Sequence, residues 1–300
     1  MRTLAVAINP TASFGRGREV GPQVVAMLRG QGLVVHELIA PSLDVLRAEA
    51  AARLAGGVDA LVVVGGDGMV NLGVELTAGT GIPLGIIPSG TGNDMARGLG
   101  IALDDPEAAV QEMLAALDRG PRVIDAARID YGTGPSAGSR RFACVLSAGF
   151  DAIVNERANR MRRPRGRSRY TIALLVELAR LRPIDYRLVV DGVEHRERAL
   201  LVSVGNNTSL GGGMKVTPAA LLDDGLLDVM LVRPLSRLEF LRIFPRVFAG
   251  THVTDPRVVT MRGRRIRIEA DGIVAYADGE RIAPLPIDVE VEPGALRVLA

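Results

Sequence analysis

The stretch Ala60-Leu-Val-Val-Val-Gly-Gly-Asp-Gly-Met-Val-Asn71 joins an unbroken apolar run to a glycine-rich loop, and helical spacing resumes from about Val70 to Thr77. Five apolar residues ended by glycines read as a buried strand, and the valines favour a pleated surface. Downstream the unit recurs: Pro83 to Ile87 as a strand, then Pro88-Ser-Gly-Thr-Gly-Asn-Asp94, then a helix over Met95 to Leu99. Upstream, Leu4 to Ile8 is a strand closed by Asn9-Pro10, and Gly21 to Arg29 has helical spacing. Leu33 to Ile39 reads as a strand and Leu43 to Leu54 as an amphipathic helix; a further helix spans Pro106 to Asp118. Strands alternating with helices require crossover connections, so residues 1–124 are expected to form an α/β domain with a mostly parallel sheet.

Beyond Val123 the pattern changes to successive strand-like runs: Asp125 to Tyr131, Arg141 to Ala148, Tyr186 to Val190, Arg198 to Val204, Leu227 to Val232, Arg264 to Glu269 and Ile287 to Val291. Asp191-Gly192 and Asp278-Gly279 are hairpin turn pairs. Residues 125–300 are therefore expected to form a β-rich, antiparallel, sandwich-like domain. Whether the last strand returns to the first domain is left open by the pattern.

Both glycine-rich loops follow strands of the first domain. In an open α/β sheet ligands gather beyond the carboxyl ends of the strands, so the two loops would share one site. Glycine lets the backbone approach a ligand closely, and a helix start offers free N–H groups to phosphate. Asp67 within such a loop would repel phosphate unless a cation lies between them, which argues for Mg²⁺ with a nucleotide. Read alone, the first loop is equally a tight turn with an exposed aspartate, and Asn93 or Asp94 a helix cap. No Gly-Lys-Ser/Thr triplet is present, and the first turn, Asn9-Pro10, is not a dinucleotide fingerprint.

Hydrophobic residues form 48% and charged residues 23% of the 300, which excludes a disordered chain. The formal charge is only +2, Lys215 is the sole lysine, and Cys144 is the sole cysteine, so no intrachain disulfide can form. No apolar run reaches membrane-spanning length and Leu4 to Ile8 is short for a signal peptide, so a cytoplasmic protein is expected. Positive charge is concentrated at Arg157, Arg160, Arg162, Arg163, Arg165, Arg167 and Arg169. Aromatic residues for base stacking are missing from that stretch, so an anionic membrane surface, reversibly bound, is expected rather than nucleic acid. His252 and Cys144 read as packing residues.

In order along the chain stand Asn9-Pro10, Gly65-Gly-Asp-Gly68, Pro88-Ser-Gly-Thr-Gly-Asn-Asp94, Gly149-Phe-Asp151, Gly205-Asn206, Gly211-Gly-Gly213, Asp224-Gly-Leu-Leu-Asp228 and Asp278-Gly-Glu280. This series resembles the soluble bacterial diacylglycerol kinase family, relatives of the sphingosine and ceramide kinase catalytic regions and, through Gly-Gly-Asp-Gly, of NAD kinases. The resemblance implies ATP and lipid meeting in a cleft between the two domains, phosphatidate as product, a place in phospholipid metabolism, and a homodimer as one possible assembly. It implies ATP contacts from Asn9, from Gly65, Gly66, Asp67, Gly68, Met69, Val70 and Asn71, and from Gly90, Thr91 and Asn93. It implies Glu280 as general base, with Asp67 as the rival. Asp67, Asp94 and Asp125 match positions that organise catalytic Mg²⁺ through water, and Asp224, with the carbonyl oxygens of Leu221 and Leu226, matches a structural Mg²⁺ site. Read alone, Glu280 is a solvated turn carboxylate. Met69 and Ala40 depart from the family's threonines, which leaves nucleotide preference open. The alternatives are an NAD kinase-like enzyme and a non-catalytic module that binds nucleotide or membrane. Phosphatidylglycerol, sphingoid bases and isoprenoid alcohols stay open as acceptors.

Overall fold

The structure, a computed structural model, describes residues 1–9, 17–161 and 167–300; for residues 17–18 and 167–170 it describes the backbone alone. The first part alternates β1 (Thr3–Ile8), α1 (Gly17–Gly30), β2 (Val34–Ile39), α2 (Leu43–Ala55), β3 (Ala60–Gly65), α3 (Asp67–Thr77), β4 (Leu84–Pro88), α4 (Asp94–Leu99) and α5 (Pro106–Arg119). Then follow β5 (Arg122–Tyr131), β6 (Gly138–Phe142), β7 (Val145–Gly149), α6 (Phe150–Arg160), α7 (Arg167–Ala179), β8 (Ile184–Val190), β9 (Val193–Ala199), β10 (Leu201–Gly205) and β11 (Leu227–Val232). The chain ends with α8 (Arg237–Ile243), α9 (Arg246–Ala249), β12 (Val258–Gly263), β13 (Arg265–Glu269), β14 (Val274–Ala277), β15 (Glu280–Pro284) and β16 (Ile287–Leu299).

β1 to β4 pair in parallel in the order β2-β1-β3-β4. Every residue of β3 is buried, because helices cover both faces of this parallel layer; hence the run of valines without alternation. The final strand, β16, runs parallel to β4 through Val298 and Leu299, and antiparallel to β5 and β13 along the rest of its length. A bulge between Glu292 and Leu296 interrupts its pairing with β5. One ten-stranded sheet therefore continues from the α/β layer into the β-rich part.

A six-stranded antiparallel sheet, β12-β11-β10-β7-β14-β15, lies opposite. Ile129, Phe142, Leu188, Ile266, Ile268 and Val289 from one sheet and Leu146, Val202, Val204, Leu227, Val229 and Leu231 from the other close a shared apolar core. Each such side chain contributes about 1.5–3 kcal/mol on full burial.

Two strands expected to be continuous are each broken. Arg141 to Ala148 divides into β6 and β7, and Arg198 to Val204 into β9 and β10. In both cases the chain leaves the ten-stranded sheet and enters the six-stranded one. The corners cost no backbone hydrogen bonds: the N–H groups of Ala143 and Cys144 reach the Asp278 carboxylate, and Leu200 N–H reaches the Val232 carbonyl at 2.7 Å.

Candidate active site

The two glycine-rich loops touch each other. A methyl group on Gly90 would lie 2.3 Å from the Gly66 Cα, so only glycine permits this approach. Asp67, at the start of α3, draws the second loop in: its carboxylate accepts N–H bonds from Asn93 at 3.1 Å and Asp94 at 2.8 Å. Burial and the neighbouring Asp94 charge push the Asp67 carboxyl above its ordinary range. Asn93 is left-handed (φ 54°), and its amide closes the loop by accepting from Gly90 N–H and donating to the Gly90 carbonyl, both at 3.0 Å.

Asp94 reaches across to the β-rich part, where its carboxylate accepts from Gly212 N–H at 3.0 Å and Gly213 N–H at 2.8 Å. Asn207 ties the same junction by donating to the Asp94 carbonyl at 3.0 Å, and its neighbour Asn206 donates to the carbonyls of Asp125 and Ala143. Glu280 opens β15 after a two-residue hairpin, Asp278-Gly279, whose φ values of 49° and 84° are those of a tight primed turn. Asp278 anchors that hairpin from below. Its buried carboxylate accepts from the N–H groups of Ala143, Cys144 and Val145 at 3.0, 3.1 and 3.0 Å, yet burial still pushes it to about 6. Glu280 itself is exposed, and its Oε1 lies 3.7 Å from where a methyl group on Gly68 would stand. The hairpin thus brings Glu280 to the first glycine-rich loop. Glu156 on α6 holds the hairpin's flank through Tyr276 at 2.6 Å and Arg281 at 3.3 Å, with Tyr276 the main cause of its lowered pKa.

A cavity of about 1060 Å³ runs from these loops into the β-rich part. Its polar end carries Asp67, Thr91, Gly92, Asp94, Asp278 and Gly279. The remainder is apolar, and four of the chain's six phenylalanines line it: Phe150, Phe240, Phe244 and Phe248. Phe150 meets Phe240 edge-on at 4.9 Å, and Phe240 stacks on Phe244 at 5.8 Å. Asp151 and His252 are titratable groups within this wall. Asp151 exposes surface only partly, and burial pushes its carboxyl to about 6. His252 has its Nε2 3.2 Å from the Val216 carbonyl, and burial lowers its pKa.

Other residues singled out in the sequence have different surroundings. Met69 is 2% exposed, and its side chain lies over Gly65 rather than over the loop; Val70 is a buried wall residue of the cavity. Asn71 is buried and donates to the Arg141 carbonyl at 3.5 Å. Asn9 stands at the end of β1 with its N–H on the Val64 carbonyl, and Pro10 lies outside the described residues. Asp125 does not line the cavity. Its buried carboxylate accepts from Gly225 N–H at 2.7 Å and Gly294 N–H at 2.8 Å, bracing β5 against the turn at Gly225 and the bulge of β16. Among the described residues no three acidic, histidine or cysteine side chains cluster tightly enough to grip a metal directly.

At the expected second ion site the acidic side chains are paired with arginine. Asp224 pairs with the Arg262 guanidinium and accepts from Leu226 N–H at 3.1 Å; Arg262 also meets Asp228 at 3.3 Å, and Arg122 pairs with Asp223 at 2.9 Å. The Arg262 guanidinium thus supplies positive charge beside both Asp224 and Asp228. Within the arginine stretch, Arg157 pairs with Glu177, and Arg160 shares Glu156 with Arg281. Arg162, Arg163 and Arg165 lie outside the described residues, as do the side chains of Arg167 and Arg169.

Comparison with known proteins places this geometry. Residues 3–129 match the model of the diacylglycerol kinase catalytic domain, and residues 144–300 that of the YegS C-terminal NAD kinase beta sandwich-like domain. A diacylglycerol kinase of Mycobacterium tuberculosis is 42% identical over 97% of this chain and 93% of its own. The Salmonella heidelberg protein named "Probable lipid kinase YegS" is 28% identical over 92% of this chain and 89% of its own. A crystal structure of a diacylglycerol kinase from Bacillus anthracis superposes with a TM-score of 0.71 at 22% identity, covering 99% of this chain and 96% of that one. An Archaeoglobus fulgidus NAD kinase in complex with ATP shares the fold, with a TM-score of 0.55 at 17% identity over 100% and 94% of the two chains. The class so defined is an ATP-dependent lipid kinase. The chain belongs to the diacylglycerol kinase family that carries the YegS-type C-terminal domain.

Proposed function

We propose that the chain transfers the γ-phosphoryl group of ATP to the free hydroxyl of diacylglycerol, giving phosphatidate for reuse in phospholipid synthesis. The observation that carries this reading is the cavity: an apolar, phenylalanine-lined volume of about 1060 Å³ that ends at the two glycine-rich loops. Acyl chains suit such a wall, whereas the polar faces of NAD would leave many groups there without hydrogen-bond partners. The name of the mycobacterial relative points the same way.

The reacting hydroxyl would sit at the cavity's polar end. Its oxygen bonds to the γ-phosphorus as the bond to the ADP oxygen breaks, and its proton passes to a carboxylate. Glu280 suits that task better than Asp67. Glu280 is exposed beside the first loop, while the Asp67 oxygens already accept two N–H bonds that hold the loops together. Asp67 is thus read as a positioning residue. The acidic, all-oxygen character of Asp67 and Asp94 fits Mg²⁺ held through water. When bound, the ion would neutralise charge on the phosphates.

The test is a labelled-ATP assay with Mg²⁺, offering diacylglycerol in mixed micelles and, separately, NAD. Label should enter the organic phase as phosphatidate and fall at least a hundredfold in Glu280→Ala, with ATP binding retained. Label on NAD instead, or undiminished turnover in the variant, would overturn the acceptor or the base respectively.

A further inference from the structure

The helical pair α8–α9 has two apolar faces. The inner one, Phe240, Ile243, Phe244 and Val247, lines the cavity. The outer one shows Leu238 at 79% and Leu241 at 49% exposure, with Phe248 at 53% where the two faces meet. Positions 238, 241 and 248 share one side of a helical path, because Phe244 N–H still bonds the Phe240 carbonyl and Val247 N–H the Phe244 carbonyl across the α8–α9 junction. Among the described residues, Arg237 and Arg242 on this helix are exposed and have no carboxylate partner, while the one acid of α8, Glu239, is paired with Arg257 at 2.5 Å. On α7 the arrangement recurs: Leu174 lines the cavity, while Ile172 and Leu175 are 40% and 56% exposed.

Isolated exposed leucines are ordinary on a protein surface, but these share their helices with cavity-lining residues, and those of α8 stand beside unpaired arginines. We infer that the outer face of α8–α9 docks on an anionic lipid surface, with Leu238 and Leu241 entering the acyl boundary and Arg237 and Arg242 meeting the lipid phosphates. A lipid could then pass from the bilayer into the cavity past Phe248 without crossing water. This rests on the lipid-acceptor reading for its purpose, and on the helix's own surface for its chemistry. It places docking on α8–α9 rather than on Arg157 and Arg160, whose charges are already paired.

The experiment compares the full chain with Leu238→Ser/Leu241→Ser, two positions outside the cavity wall. Flotation with vesicles of phosphatidylglycerol and phosphatidylcholine measures docking, and thermal melting checks the fold. Turnover is read on long-chain diacylglycerol in those vesicles and on dispersed dioctanoylglycerol. The variant should bind vesicles at least about tenfold more weakly and lose turnover on the vesicle substrate alone. In Arg237→Glu/Arg242→Glu the preference for anionic over neutral vesicles should disappear. Unchanged flotation, or equal loss of turnover on both substrates, would overturn the proposal. So would sedimentation showing that this face instead holds a dimer which the Leu238→Ser/Leu241→Ser variant loses. If the unsubstituted protein phosphorylates neither lipid, the acceptor reading fails, and flotation still decides the docking face.

Discussion

Replacing Gly90 with alanine adds one methyl group where the two glycine-rich loops meet. Ideally placed, that carbon would lie 2.3 Å from the Gly66 Cα and 2.7 Å from Asn93 Oδ1. A side-chain amide can turn away, but Gly66 is backbone at the end of a fully buried strand. Side-chain carbons essentially never approach closer than 3.0 Å, so the loops must part by about 0.7 Å. Forcing packed groups apart in this way costs about 1–3 kcal/mol. At about 2–4 °C per kcal/mol for a chain of this size, melting should fall by roughly 2–12 °C. The effect on catalysis should be larger, since a displacement near 1 Å costs about a hundredfold in turnover when reacting groups are held by the two sides. Gly66→Ala meets Gly90 at 3.0 Å and should do less; Gly68→Ala makes only an ordinary contact, 3.7 Å from Glu280 Oε1, and should melt no lower than the parent. Melting curves with initial rates over a range of ATP concentrations give the order. A Gly90→Ala protein with parental melting and rate would refute the close-approach argument, as would Gly68→Ala being the least stable of the three.

Three further outcomes are expected. Asp278 keeps its proton up to about pH 6 when folded, against the ordinary 3.8; the folded state therefore binds more protons than the unfolded one between these values. Stability should fall by about 3 kcal/mol as pH rises through that window and level off above it, with Asp151 adding in the same direction; urea titrations from pH 4 to 7 should show the slope shrinking in Asp278→Asn. In Asp94→Ala the half-buried N–H groups of Gly212 and Gly213 lose their acceptor, at about 0.5–1.5 kcal/mol each, so the urea midpoint should drop and proteolysis at residues 211–213 should accelerate. Arg262→Met leaves Asp224 and Asp228 without their guanidinium, so Mg²⁺ should raise the melting temperature of the variant more than that of the parent; equal responses would show that the arginine does not stand in for an ion.

The parallel layer was legible in the sequence because a doubly covered strand has to be apolar throughout, and β1, β3 and β4 are. The sheet-changing corners at Ala143-Cys144 and Leu200 were not legible. There the chain turns without glycine or proline, since a distant carboxylate and a distant carbonyl accept the freed N–H groups. The glycine-rich loops announced themselves through composition, but the division of labour within them did not. The Asn93 amide is occupied in closing its own loop and the Asp67 carboxylate in holding loop to loop, and only the fold reveals which lone pairs are already taken. Asp278 was visible merely as the turn residue before Glu280; its three N–H bonds join residues far apart in the chain. The cavity did leave one readable trace, the spacing of Phe240, Phe244 and Phe248 by four residues in a chain poor in aromatics. That trace does not by itself reveal a cavity, because aromatic residues at helical spacing usually belong to a solid core.

The strand β16 has a consequence for synthesis. Val298 and Leu299 pair with Leu84 and Gly85, so a strand translated early waits for a partner translated much later. Until that partner has left the ribosome, that side of β4 offers unpaired N–H and C=O groups to any neighbouring strand. Nascent chains waiting at this stage are the population in which a chaperone would matter most. A chain cut just before Val298 would lack the seam between the two halves, though every residue of the active site had been made.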